Sequence, residues 1–99
     1  MEARLAQQVI EINRLSMTRY IESMGYEPIA QRPGSTDYVL VHEEPFTVTI
    51  DHATNRFTDN ETDAEGSLVD LIRRLYRCTW QDLVRAPLEY GLGPVLAAA

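Results

Sequence analysis

The sequence predicts an α+β domain on three observations. Two stretches of helical apolar spacing open the chain, alternating β-branched and aromatic runs fill its middle, and two capped helical segments follow. With 99 residues, 44% of them apolar, the chain holds one domain with a modest core. We place that domain at residues 1–86 and read residues 87–99 as an irregular C-terminal tail. Pro87, Gly91, Gly93 and Pro94 break up that tail before it ends in "VLAAA".

A first helix reads over residues 2–13, because Leu5, Val9 and Ile12 recur on one face. Ser16 can cap a second helix, in which Met17, Tyr20, Ile21 and Met24 form one apolar stripe. Gly25 supplies the left-handed residue that ends it. One helix bent near Ser16 fits the same spacing. Over residues 26–59, "DYVLV" and "FTVTI" predict an antiparallel sheet of three to four strands. Its turns are Arg32-Pro33-Gly34-Ser35 and Asp51–Asn55, with Pro28 and Pro45 kept to strand starts or edges. After the loop "DNETDAEG", Ser67 caps a helix over 67–77, with Asp70 in the reciprocal capping position. Leu68, Leu71, Ile72, Leu75 and Tyr76 form its inward face, and Asp70, Arg73, Arg74 and Arg77 the opposite one. Thr79 caps a short helix over 79–85, with Asp82 as its capping partner and Trp80, Leu83 and Val84 as its apolar members.

Composition excludes several classes. The net charge is −6, from fifteen acids against nine bases, all of them arginine. Such a chain is not drawn to a phosphate backbone at long range, which leaves only a local arginine patch for nucleic acid. The single Cys78 excludes an internal disulfide and any zinc site with two or more thiolates from one chain. The start "MEARLAQQVIEINR" is mixed and charged, unlike a signal peptide, and no run of 18 apolar residues occurs, so the cytoplasm is the expected compartment.

The order of motifs is informative. A helix ending in "YIESMGYEPI", the hairpin "FTVTIDHATNRFTDN", a Gly-Ser loop and "GSLVDLIRRLYRCTWQDLV" follow one another. Across residues 12–85 this order resembles the zinc-binding domain of bacterial DNA primases and its relatives on plasmids and conjugative elements. The resemblance implies contact with single-stranded template DNA or a replication protein. It also implies zinc ligands as Cys-x-x-His on one hairpin and Cys-x-x-Cys on the next. Here the first pair falls near Val39 and His42, so only the histidine is present, and the second near Asp59–Glu65, where no cysteine stands. The resemblance therefore points to a zinc-free version, with no cofactor or metal expected.

Individual candidates have plainer readings. His42 and His52 read as surface histidines. Cys78 reads as a small packed residue rather than a thiol activated by Arg77. Acids stand at positions 1, 3, 5, 7 and 12 from Asp59 to Asp70, but Ala64 holds the place where a calcium loop needs glycine, so this is a solvated loop. Arg56, Arg73, Arg74 and Arg77 could follow a phosphate backbone, but pairing of Asp70 with Arg73 and Arg74 along the helix is the simpler expectation. Phe46, Phe57 and Trp80 could stack on bases, and at least two of them are expected in the core. No nucleophile–base–orienter set occurs, so catalysis is not expected. Two readings remain. One is a non-catalytic, primase-zinc-domain-like accessory module of a mobile element or phage. The other is a small acidic protein-interaction module (an adaptor, inhibitor or DNA-mimicking regulator) with a face built from Glu43, Glu44, Asp59, Glu61, Asp63 and Glu65.

Overall fold

The choice between one bent helix and two is made by Ser16. Its backbone is extended, and its hydroxyl accepts the Arg19 N–H at 3.3 Å, so a new helix starts there. The structure is a computed structural model that describes residues 3–98. In it α1 spans Ala3–Asn13 and α2 spans Met17–Ser23. Residue 2, where the first helix was expected to begin, lies outside the described residues. Met17, Tyr20 and Ile21 are fully buried, and Gly25 follows α2 at φ 93°.

The middle of the chain is a meander. Strands β1 (Ala30–Arg32), β2 (Ser35–Val41), β3 (Pro45–Asp51), β4 (Arg56–Asp59) and β5 (Glu65–Gly66) form one antiparallel sheet in chain order. Five strands exceed the three or four expected. The additions, β1 and β5, are three and two residues long, too short for alternation to show. Period-2 geometry sends Tyr38, Leu40, Phe46, Val48, Ile50 and Phe57 to one side, all buried. The other side faces solvent, with Val39 and Val41 36% and 53% exposed. There Arg32 pairs with Asp37, and that hydrogen bond holds the Asp37 carboxyl below its usual range.

The helix α3 (Leu68–Tyr76) lays Leu68, Val69, Leu71, Ile72 and Leu75 into the same core. The Asp70 carboxylate accepts the Ser67 N–H at 2.9 Å and the Ser67 hydroxyl at 3.0 Å. In α4 (Trp80–Arg85) the exchange is reciprocal: the Thr79 hydroxyl accepts the Asp82 N–H at 3.1 Å, and Asp82 accepts the Thr79 N–H at 3.3 Å.

Two asparagines join these layers. Asn55 sits in the β3–β4 turn at φ 54°. Its amide donates to the carbonyls of Asn13 and Leu15, at 3.2 and 2.8 Å, and its carbonyl oxygen accepts the Met17 N–H at 2.9 Å. Asn13 in turn accepts the Val69 N–H at 2.9 Å, which occupies an otherwise unpaired donor in the first turn of α3.

The irregular tail expected at 87–99 is corrected over the described residues. Pro87–Tyr90 is a 3₁₀ turn and Gly93–Ala98 is a helix, α5. Leu92 is fully buried, Val95 nearly so, and α5 packs against α2. The Tyr20 hydroxyl donates to the Tyr90 carbonyl at 2.6 Å. Pro87 opens a helical turn, where its missing N–H costs nothing, and Gly91 closes one at φ 80°. These residues punctuate structure here rather than prevent it.

Candidate interaction surface

The outward face of α3 meets the ends of two hairpins. Asp59 does not lie on an exposed acidic face, as expected; it is 3% exposed. Strand alternation puts it on the same side as Phe57, facing α3. Its carboxylate accepts the Glu61 N–H at 2.9 Å and lies 3.7 Å from Nε of Arg74. The Arg74 guanidinium also sits 4.3 Å above the Phe46 ring. Arg77 pairs with Glu43 at 3.0 Å, with both side chains well exposed. Arg73 donates to the Cys78 carbonyl at 3.4 Å.

The expected pairing of Arg73 and Arg74 with Asp70 is therefore corrected. Asp70 is taken up in capping its own helix, and the arginines turn to other elements. Arg56 does not join them. It is exposed at the Asp51 end of the β3–β4 hairpin, about 20 Å along the strand from Pro45, at roughly 3.3 Å per residue.

A cleft of about 360 Å³ opens between these parts, bounded by His42, Glu43, Glu44, Glu61, Arg74 and Arg77. Asp63 and Glu65 are exposed beyond it, Asp63 in the turn at φ 60° and Glu65 on strand β5. The cleft is of mixed charge, and its arginines are already paired with acids.

Of the three aromatic residues expected to stack on bases, Phe46 and Phe57 are buried and Trp80 is partly buried against the core. Tyr76, expected to face inward, is instead 38% exposed. It stands edge-on to Tyr90 at 5.3 Å and tilted to His42 at 6.4 Å. Position at the last turn of α3 was the signal in the sequence, since an end residue is not fully covered by its neighbours. His52 is exposed but tied down, its Nε2 lying 2.7 Å from the buried Thr36 hydroxyl. Burial pushes the Cys78 thiol up and nearby Asp82 adds to this, against a backbone hydrogen bond and the charge of Arg73.

Of the implied zinc ligand positions, His42 borders the same cleft as Glu61, whereas Val39 lies on the solvent side of the sheet and Asp59 on the covered side, so these two face apart. Among the described residues no group of three or more His, Cys, Asp or Glu is placed to hold a metal ion. No helix of the described residues is long and apolar enough to cross a membrane. No family model matches this chain, and neither the curated proteins nor the solved structures provide a match.

Proposed function

We propose that this chain is a non-catalytic accessory module of the primase zinc-domain type, belonging to a plasmid, phage or conjugative element, which acts by contacting a replication protein in the cytoplasm. The order of helix, meander, capped helix and capped helix supports the primase-type reading. One observation carries the choice of a protein over DNA: Arg73 and Arg74 on α3 and Arg77 just after it are already held, by the Cys78 carbonyl, by Asp59 and by Glu43. A phosphate backbone would have to displace these partners and approach Glu43, Glu44 and Glu61 against a net charge of −6.

A second reading, direct contact with single-stranded DNA, has one observation in its favour. Tyr76, with Tyr90 and His42 beside it, offers exposed ring surface next to Arg77, and stacking is worth about 1–3 kcal/mol per base. Titration of labelled single-stranded DNA at low salt, followed by anisotropy, separates the two. We expect no binding at high protein concentration. Salt-sensitive micromolar binding that is lost on Tyr76→Ala or on Arg73→Ala with Arg77→Ala would overturn the protein-partner reading. The positive arm is cross-linking in cells that carry the element. A replication protein should be captured by the wild type and lost on Glu43→Lys with Glu44→Lys.

A further inference from the structure

We infer that Arg74 is the strut that closes this end of the fold, holding together the two hairpin ends that a metal joins in the domains this sequence resembles. Phe46 is the second residue of β3, just after the β2–β3 turn, and Asp59 ends β4, directly before the β4–β5 turn. Arg74 reaches from α3 to both, with its guanidinium over the Phe46 ring and its Nε toward Asp59. One side chain thus links three elements.

The burial of Asp59 gives this link its weight. Asp59 is a carboxylate with almost no solvent access, and among the described residues Arg74, itself half-exposed, is its sole ion-pair partner. A buried charge stripped of its partner is strongly destabilising, whereas replacing both partners with well-packed uncharged side chains of similar volume is often close to neutral. Arginine suits the position because its planar cation can lie on an aromatic ring while its edge meets an acid; lysine cannot do both. The exposed Arg77–Glu43 pair ties the β2–β3 turn to the end of α3 as well, but solvent and salt screen it.

The analogy with a metal rests on the primase-type reading; the strut rests on the geometry alone. Thermal unfolding of the full chain, followed by circular dichroism, tests both. Arg74→Met keeps an apolar stem over Phe46 and removes the charge, and should lower Tm by about 10 °C or more. Asp59→Asn in that background removes the stranded charge and should restore most of the loss. This double variant keeps the test decisive if Arg74→Met alone does not fold. Neither zinc nor a chelator should move the wild-type Tm. A wild-type Tm for Arg74→Met, or losses that add in the double variant, would overturn the strut. A Tm raised by zinc or lowered by chelation would overturn its metal-independent role. DNA and partner binding play no part in these readouts, so failure here and failure of the proposed function are separate results.

Discussion

At Gly66 the sheet comes so close to α3 that only a hydrogen fits. A Cβ there would lie 2.7 Å from the Asp70 Cβ and 2.8 Å from Cε1 of Phe57. Neither neighbour can yield, since Asp70 caps the helix and Phe57 is buried. Gly66→Ala should therefore cost about 1–3 kcal/mol in urea unfolding, the usual range for overpacking. Gly34→Ala, where a Cβ meets nothing within 4 Å, serves as the control and should stay within about 0.5 kcal/mol. Equal stability of the two variants would refute the close approach. In the sequence Gly66 reads only as the end of a loop. Its constraint arises from Phe57 and Asp70 together, and their meeting is a property of the folded chain. Asn55 is similar: it reads as a turn residue, while its three bonds run to Asn13, Leu15 and Met17, far back in the chain.

Among the elements, the helices were legible where their signals are local. Ser16, Ser67 and Thr79 each start a helix within a few residues of the groups they bind, and the stripe Met17–Tyr20–Ile21 marks its own buried face. Strands β2 and β3 alternate over seven residues each and were legible for the same reason. The edge strands were not, because so few residues show no period. The tail was misread because proline and glycine signal a break without saying what lies between breaks. Its packing can be tested directly. Leu92 is fully buried, so Leu92→Ala should destabilise the protein by about 2–5 kcal/mol, as other large-to-small core changes do. A change below about 0.5 kcal/mol in urea unfolding would return this segment to the periphery.

Over the whole molecule, the acidic balance was legible and the disposition of charge was not. The sequence assigns Arg73 and Arg74 to Asp70 because helix neighbours are the only neighbours it displays. In the folded chain the partners come from the β2–β3 turn, from the end of β4 and from the residues after α3. The sequence therefore names the charged residues and misjudges how they pair.

The order of the sheet carries a consequence for how the chain assembles. Every strand pairs with its neighbour in sequence, so the meander can grow by successive hairpins, each closing a short loop at little entropic cost. The helices at either end have no such route. The Tyr20 hydroxyl and the Tyr90 carbonyl are separated by 70 residues, α1 packs against α4, and α2 packs against α5, so these contacts close long stretches of chain. The two ends should then open as one cooperative unit while the sheet persists. In native-state hydrogen exchange, amides of α1 and α5 should exchange together and ahead of those in β2 and β3. Protection of α5 beyond that of β3 would show instead that the ends close first and that the hairpins form inside them.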